Sequence, residues 1–240
     1  MSDAAKHERL AEGGHVVVVG AGIVGVATAI WLQRDGYRVT LIDRGAPGDG
    51  TSYGNAGVLA SCSVVPVTTP GLWKKVPSLL MDPDGPLSVR WRYLPRMLPW
   101  LSAYMRNCHP ERVAKTAAAM AELVSGSLEE HQALASGTEA ARHIVPCDYV
   151  FAYADRGAYE GDAFGWSLRR KHGFAWEELE RDAFEAYDPA MAGVAAFGVR
   201  CGDHGRITDP GRYVKDLATS FEAGGGTVLR ASVQDVLRDE

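Results

Sequence analysis

The 240-residue sequence is 46% hydrophobic and 23% charged, as in an ordinary globular protein, and its length suits one large domain or two smaller ones. The formal net charge of −5, without a dense run of Lys or Arg, gives no electrostatic support for nucleic acid as a partner. Residues 1–14 lack the apolar core of a secretory signal, and no stretch approaches the roughly 18 apolar residues of a membrane span. We therefore expect a cytoplasmic protein.

The first predicted elements form a β-strand, α-helix, β-strand unit. The β-branched run at residues 15–19 suits a strand covered on both faces, as in a parallel sheet. Residues 23–35 show helical spacing of apolar side chains, and Gly36 supplies a left-handed stop. Residues 37–43 form the second strand. Such a unit predicts an α/β fold with a right-handed crossover.

A glycine fingerprint lies between this strand and this helix, in the order Gly20-Ala21-Gly22-Ile23-Val24-Gly25. Gly20 permits the tight turn, Gly22 lets the backbone approach a pyrophosphate, and Gly25 allows the helix to pack closely on the strand. Asp43 ends the second strand 18 residues after Gly25 and can accept hydrogen bonds from a ribose diol. The joint pattern predicts a dinucleotide site. The alternative is a glycine-rich turn beside a solvated Asp.

The rest of the chain is predicted to alternate helices and strands. Residues 44–57 form a loop, and residues 61–99, rich in Pro and Trp, form irregular structure with short helical turns. Asp209 is predicted to cap the N-terminus of a helix that has Pro210 at its first position. The other predicted elements are helices at 111–134 (weakened by Gly126), 159–172, 177–186 and 209–223, and strands at 143–154, 174–176 and 227–230.

The cysteines and histidines give no sign of a metal site. The wide spacing of Cys62, Cys108, Cys147 and Cys201 fits neither a zinc site nor a small disulfide scaffold, so we expect buried, reduced thiols. Single histidines without ligand spacing are more often surface or hydrogen-bonded core residues than catalysts. They are His109, His131, His143, His172 and His204.

An apolar and aromatic stretch occupies residues 94–105. A dehydrogenase that passes electrons to a membrane quinone could place such a patch on the bilayer surface. Its two prolines and few basic residues favour the alternative, in which it is buried against a substrate domain.

A family resemblance rests on three segments. VVVVGAGIVGVATAIWLQRDGYRVTLIDR, followed by TSYGNAG, resembles the amine-oxidase-like FAD family that includes D-amino-acid oxidase, glycine oxidase and sarcosine oxidase. The segments PGLWKKVPSLLMDPDGPLSVR and GDHGRITDP are similar to those of its bacterial D-amino-acid dehydrogenase subgroup (small subunit). The resemblance runs from His15 to the last residue, and only its first 45 residues or so are specific for a dinucleotide fold.

The resemblance implies FAD as the cofactor and assigns roles to individual residues. The glycines of the fingerprint would meet the pyrophosphate, Asp43 the adenosine ribose, and Arg44 the adenine. The other implied contacts are Thr51 and Ser52 with the pyrophosphate or ribityl chain, Asn55, Ala56 and Gly57 with the flavin side, and the backbone of Val233, in a strand region at 231–233, with the adenine edge. For Thr51, Ser52 and Asn55 the alternative is plain turn chemistry, and for Val233 a core strand position.

The implied architecture is a Rossmann-like FAD-binding domain with part of a mixed-sheet substrate domain, α+β overall. Residues 15–60 would form the FAD-binding unit, 61–200 mostly substrate-domain and helical segments, and 201–240 the return to the FAD-binding domain. Family members are longer, so we expect an N-terminal portion whose catalytic residues follow Glu240. The implied reaction is oxidation of a D-amino acid or related amine to an imine by hydride transfer to flavin, with oxygen or quinone as acceptor. The alternatives are an NAD-linked dehydrogenase and a non-catalytic nucleotide-binding remnant.

Overall fold

The computed structural model describes residues 13–71 and 90–237 and confirms an α/β chain with one parallel sheet and a second sheet that contains antiparallel pairs. The strands are β1 (His15–Val19), β2 (Arg38–Asp43), β3 (Val58–Leu59), β4 (Ile144–Tyr153), β5 (Glu177–Glu180), β6 (Phe197–Ile207) and β7 (Thr227–Arg230). The helices are α1 (Ile23–Arg34), α2 (Leu94–Arg106), α3 (Pro110–Val124), α4 (Ser127–Ala135), α5 (Arg156–Glu160), α6 (Ala163–Lys171), α7 (Arg181–Tyr187) and α8 (Pro210–Ala223). Short 3₁₀ helices lie at Trp91–Tyr93, Glu139–His143 and Pro189–Met191.

The chain divides into two compact units. The first comprises Met1–Leu59, Leu128–Pro146 and Gly205–Glu240, of which residues 13–59, 128–146 and 205–237 are described. The second comprises Ala60–Ser127 and Cys147–His204, described at 60–71, 90–127 and 147–204. This division differs from the predicted boundaries because residues 128–146 group with the first unit.

The first unit contains the three-stranded parallel sheet, in the order β1-β2-β7. The predicted strand, helix and strand at its start are confirmed, with His15 opposite Arg38 and Val19 opposite Ile42. Within the described residues β1 pairs with β2 alone, and Val17 and Val19 on β1 are half exposed or more.

Helices α1 and α8 supply eight of the 17 buried residues in the apolar core of this unit. Val26 of α1, Leu41 of β2, and Leu217 and Phe221 of α8 are almost fully buried in one cluster. Asp209 caps α8 as predicted, because its carboxylate accepts a hydrogen bond from the backbone amide of Arg212 at 2.9 Å. Amphipathic spacing and a capped first turn explain why this helix could be located from sequence.

A carboxylate network joins α8 to the 3₁₀ helix that precedes β4. Asp216 is buried and accepts hydrogen bonds from Arg142 at 2.8 Å and His143 at 3.0 Å, and it pairs with Arg212 at 2.9 Å. Burial raises the pKa of the Asp216 carboxyl, but the hydrogen bond with His143 and the charges of Arg212 and Arg142 outweigh burial and lower it. His143 is therefore a hydrogen-bonded core residue, in line with the general expectation for single histidines.

The second sheet has the order β3-β6-β4, and β5 pairs antiparallel with β6. The central strand β6 was not predicted, because its sequence FGVRCGDHGRI contains three glycines, which favour turns. Two of these glycines allow close packing. A Cβ on Gly198 would lie 2.7 Å from Cδ2 of Phe184, and a Cβ on Gly205 would lie 2.7 Å from Cδ1 of Leu128.

Three helix predictions were wrong in extent or type. The predicted helix at 111–134 is divided into α3 and α4 around Gly126. The helix at 159–172 is likewise divided, into α5 and α6, with a turn at residues 161 and 162. Residues 177–186 begin as strand β5 before α7, and the strand predicted at 174–176 is absent. Residues 231–233 follow β7 without forming a strand, which corrects the prediction made there.

Helix α2 corrects the preferred interpretation of the apolar stretch. Residues 94–106 form a regular helix with Pro99 inside it, and none of its residues is buried. Leu98 and Trp100 are 56% and 59% exposed. The stretch is therefore not packed into the interior of the described structure. The predicted irregular segment at 61–99 lies outside the described residues from 72 to 89.

The cysteine expectation holds for three of the four thiols. Cys62, Cys108 and Cys201 are buried, Cys147 is partly exposed, and all four are free thiols. None of the described helices is long and apolar enough to cross a membrane.

Candidate cofactor site

A cleft of about 750 Å³ lies in the first unit, where β1 gives way to α1 and β2 ends. This volume is within the roughly 300–1,000 Å³ typical of small-molecule sites. The carboxyl ends of parallel strands are the usual place for such sites in open α/β sheets. The cleft is lined by Ala21, Gly22, Ile23, Val24, Asp43, Arg44, Gly45, Ala46, Asp49, Gly50, Thr51, Ser52 and Asn55.

The turn between β1 and α1 depends on two glycines. Gly20 has φ of +106°, a backbone conformation that side chains disfavour, and its amide donates to the carbonyl of Ile42 at 2.7 Å. A Cβ on Gly25 would lie 1.7 Å from the carbonyl oxygen of Gly20 and 3.6 Å from Cγ1 of Val18. The first turn of α1 thus packs directly on the strand-to-helix turn, at a distance that excludes any side chain.

The N-terminus of α1 opens into the cleft. Gly22 is the N-cap, in an extended conformation, and no acidic residue lies in the first turn. The hydroxyl of Ser52 accepts a hydrogen bond from the Ile23 amide at 2.9 Å, whereas the amides of Gly22 and Val24 have no acceptor among the described residues. Unpaired amides and the positive end of the helix dipole make this position favourable for an anion.

Asp43, at the end of β2, also lines the cleft. One carboxylate oxygen accepts from the Ala21 amide at 2.7 Å, and the other accepts from the Gly45 amide at 2.8 Å. These two hydrogen bonds lower the pKa of Asp43, so the side chain is charged at neutral pH. Each oxygen keeps a further lone pair that can accept a hydrogen bond from a hydroxyl. Arg44, beside it, is exposed and lines the same cleft.

The loop after the cleft is held by its own side chains. The Asn55 amide oxygen accepts from the Gly57 backbone at 2.8 Å, and its nitrogen donates to the Ser52 carbonyl at 3.2 Å. Gly57 has φ of +65°, and a Cβ there would lie 2.2 Å from the carbonyl oxygen of Ile207. Asn55 therefore does the turn chemistry that was weighed as the alternative to a binding role, while still lining the cleft.

The structure brings most of the predicted site residues together. Gly20 and Gly25 do not line the cleft, but they shape the turn between β1 and α1. Ala56 is exposed and outside the cleft lining, and Gly57 lines a neighbouring cavity of about 130 Å³ together with Ser52 and Asn55. Val233 is 41% exposed in the segment after β7 and is not among the cleft residues. The predicted residues that line the cleft are Ala21, Gly22, Ile23, Val24, Asp43, Arg44, Thr51, Ser52 and Asn55.

Sequence reasoning missed the loop at residues 45–50, which supplies four lining residues. Gly48 has φ of +77°, and its amide donates to the carbonyl of Ala21 at 2.9 Å, which draws the loop over the turn. Asp49 forms an ion pair with Lys215 at 2.7 Å. The available signal is the density of glycine directly after Asp43, which by itself predicts only a loop.

The arrangement suits a dinucleotide. The glycine at the N-cap leaves room for a diphosphate at the unpaired amides, and the Asp43 carboxylate lies at the same cleft, where a ribose diol could be bound. A bulky side chain in the opening of α1 would have contradicted this fit, and none is present in the described cleft.

Comparison with known proteins decides the family. Residues 15–240 match the family model DAO, described as FAD dependent oxidoreductase. The chain belongs to this family. The match confirms the predicted family and FAD as the cofactor of that family. It excludes the alternative of an NAD-linked dehydrogenase.

The most similar relatives considered are bacterial. The chain is 46% identical over 223 residues to the D-amino-acid oxidase of Bradyrhizobium diazoefficiens, covering 92% of this chain and 53% of the relative. It is 35% identical over 188 residues to D-amino acid dehydrogenase 2 of Ralstonia nicotianae, covering 74% of this chain and 42% of the relative. The chain thus spans about half the length of the curated relatives it matches.

Solved structures confirm the fold. Glycine oxidase from Geobacillus kaustophilus aligns with a TM-score of 0.54 at 16% identity, over 90% of this chain and 46% of that one. The FAD-bound L-α-glycerophosphate oxidase of Mycoplasma pneumoniae aligns with a TM-score of 0.52 at 16% identity, over 90% and 44%. At these identities the likeness establishes the fold of the chain, and nothing about its substrate.

Proposed function

We propose that this chain provides the dinucleotide-binding part of an FAD-dependent enzyme that oxidises the CH–NH bond of D-amino acids or related amines. The product would be an imine, which hydrolyses to a 2-oxo acid and ammonia. The observation that carries the proposal is the joint presence of the open α1 N-terminus and the Asp43 carboxylate at one cleft, in a chain of an FAD-dependent family. The two relatives, a D-amino-acid oxidase and a D-amino acid dehydrogenase, support D-amino acids as the substrate class.

The residues of the cleft receive separate tasks in this proposal. The amides of Gly22 and Val24 bind the pyrophosphate, because they lack acceptors and lie at the positive end of α1. Asp43 accepts hydrogen bonds from the adenosine ribose, and Arg44 covers the adenine. Thr51 and Ser52 approach the pyrophosphate or ribityl chain. Asn55 acts by holding the loop that carries Ser52.

The flavin-side contacts of Ala56 and Gly57, and the adenine-edge contact of the Val233 backbone, remain predictions. When bound, FAD supplies the redox chemistry by accepting the hydride that leaves the carbon next to the amine nitrogen. The described residues contribute binding and orientation. No catalytic residue is assigned among them, and oxygen and quinone are the two candidate electron acceptors.

A reduction experiment tests the activity. The purified enzyme of which this chain is a part should be yellow, with flavin absorption, and anaerobic addition of D-amino acids should bleach that absorption while the L-enantiomers do not. A folded protein that binds FAD but is bleached by no amine would support the non-catalytic remnant. A folded protein without affinity for FAD would remove the proposed function altogether.

A matched pair of variants tests the placement of the cofactor. Gly22→Val should abolish FAD binding, because the side chain would occupy the position of the pyrophosphate and would already contact Ser52 Oγ, 3.3 Å from the new Cβ. Gly50→Val is the control, because Gly50 lines the same cleft and a Cβ there meets nothing within 4 Å. Equal affinity of the two variants for FAD would contradict the placement.

A peripheral membrane contact through α2 is also proposed. Leu98 and Trp100 are exposed, and residues 90–115 carry six Lys or Arg and one Glu in a chain of net charge −5. This combination of apolar and basic groups suits an anionic bilayer surface. Leu98→Ser with Trp100→Ser should reduce sedimentation with phosphatidylglycerol vesicles. Leu123→Ser, at an exposed position of α3, should not. Equal sedimentation of the Leu98→Ser, Trp100→Ser double variant and the Leu123→Ser control would contradict the membrane contact.

A further inference from the structure

Two cysteine side chains meet in the core of the second unit, apart from the cofactor cleft. Cys62 lies in the segment after β3, and Cys201 lies on β6, with exposures of 0% and 1%. Both belong to one apolar cluster with Phe197 and Val199, and their thiols are near enough for each to shift the pKa of the other. The structure therefore places together two thiols that are far apart in sequence.

Polar groups fix the backbone on both sides of Cys62. Its amide donates to Nε2 of His204 at 3.0 Å, and its carbonyl accepts from Nε of Arg169 at 3.2 Å. Nδ1 of His204 faces the carbonyl of Gly202, which can only accept a hydrogen bond, so Nδ1 carries the proton and Nε2 is the acceptor. Cys62 is thus anchored beside Cys201 by two buried side chains.

The two thiols are electrostatically unequal. The neighbouring Cys201 thiol, together with His204 and Arg169, lowers the pKa of Cys62 although burial opposes this effect. The neighbouring Cys62 thiol and burial raise the pKa of Cys201. Because the thiolate is the reactive form of cysteine, these directions favour Cys62 as the nucleophile of the pair, with Cys201 as the second thiol.

We propose that Cys62 and Cys201 form a dithiol that hydrogen peroxide oxidises to an intrachain disulfide. The Cys62 thiolate attacks one peroxide oxygen, an S–O bond forms, the O–O bond breaks, and the departing hydroxide takes up a proton to leave as water. The sulfur is now a sulfenic acid. The Cys201 sulfur then attacks it, the S–S bond forms, and the S–O bond breaks. The displaced hydroxide takes the Cys201 proton and leaves as the second water.

Two thiols and one peroxide thus give one disulfide and two waters. The disulfide would tie the segment that follows the cofactor-site loop to β6. Both thiols are shielded from solvent, so oxidation requires local opening of the structure and should be slower than that of a free surface thiol. The inference does not depend on the proposed oxidation of amines, since peroxide is added as a reagent.

The experiment treats the reduced, purified protein with hydrogen peroxide, blocks the remaining thiols, and analyses the peptides by mass spectrometry. We expect two of the four cysteines of the chain, Cys62 and Cys201, to be joined in a peptide that dithiothreitol separates. In Cys201→Ser, Cys62 should stop at the sulfenic acid and be trapped by dimedone. Cys147→Ser is the control and should form the same disulfide as the wild type.

The wild-type peptides decide the matter even if a variant fails to fold. Oxidation confined to Cys147 or Cys108, or a disulfide with any other pairing, would overturn the proposal. So would the survival of both Cys62 and Cys201 as free thiols when treatment with peroxide is continued well beyond the complete oxidation of Cys147.

Discussion

Replacing Gly25 by Ala tests the geometry on which the cofactor cleft depends. The new Cβ would lie 1.7 Å from the carbonyl oxygen of Gly20, while contacts of real Cβ atoms stay above 3.0 Å, so the helix and the turn must separate by about 1.3 Å. Overpacking of this kind costs about 1–3 kcal/mol. The better helix propensity of Ala returns about 0.5–1 kcal/mol. Because the two atoms nearer than 3.0 Å, the carbonyl oxygen and carbon of Gly20, belong to the backbone, we expect a net loss of about 2 kcal/mol in unfolding free energy.

The same displacement should weaken FAD binding more than it weakens folding. If the amides of Gly22 and Val24 move by about 1.3 Å, their proposed hydrogen bonds to the FAD pyrophosphate, of about 2.9 Å, become too long to contribute to binding. Hydrogen bonds to charged groups contribute about 1.5–3 kcal/mol each. Loss of about 3 kcal/mol corresponds to roughly 100-fold in Kd.

The assay combines thermal unfolding with titration of apoprotein by FAD, followed by quenching of flavin fluorescence. Gly50→Ala is the matched control, because the residue lines the same cleft and its Cβ meets nothing within 4 Å. It should change neither quantity appreciably. If Gly25→Ala unfolded at the temperature of Gly50→Ala and bound FAD equally well, the close packing of α1 on its turn would be irrelevant to the site, and the reasoning would be refuted.

Three further predictions concern single side chains. Asp43→Ala should weaken FAD binding by about 10- to 100-fold through loss of the ribose hydrogen bonds. Asp35→Ala, outside the cleft, is the control. Equal FAD titration curves for the two variants would show that Asp43 does not bind the ribose. Asp216→Asn should cost about 2 kcal/mol of unfolding free energy near neutral pH. Because the pKa of Asp216 is lowered on folding, its stabilisation is present above about pH 4 and lost as pH falls through the folded-state pKa, so melting curves of the two proteins should converge in acid. Gly198→Ala should destabilise by about 1–3 kcal/mol, since the Cβ meets the Phe184 ring at 2.7 Å, and an unchanged urea midpoint would show that the ring can move aside.

The parts of the fold that were predictable are those fixed by local pattern. The first strand, helix and strand follow from apolar periodicity and from glycines whose conformations the turn requires, and the acid at the end of β2 follows from spacing. The cap of α8 follows from Asp209 and the proline after it. For the same reason most of the cofactor cleft could be predicted, since its residues come from one continuous stretch of the chain.

The parts that were missed depend on pairing between distant segments. Residues 177–180, EELE, favour a helix by propensity, yet they form β5 because they pair with β6, where Glu177 meets Arg200 at 2.7 Å. Strand β6 contains glycines, which by themselves indicate turns. The reason for a glycine at position 198, the Phe184 ring packed against it, cannot be seen in the sequence. The exposure of α2 could not be predicted either, since its apolar residues fit a buried helix equally well.

The free side of β1 has a consequence for handling the protein. Backbone groups on that side have no strand beside them in the described structure, and Val17 and Val19 are exposed. In the described structure β1 is therefore an unpaired edge strand. An edge strand can pair with another extended segment, either of the same polypeptide or of a second molecule. Val17→Lys would disfavour pairing at this edge and should slow the aggregation of concentrated solutions.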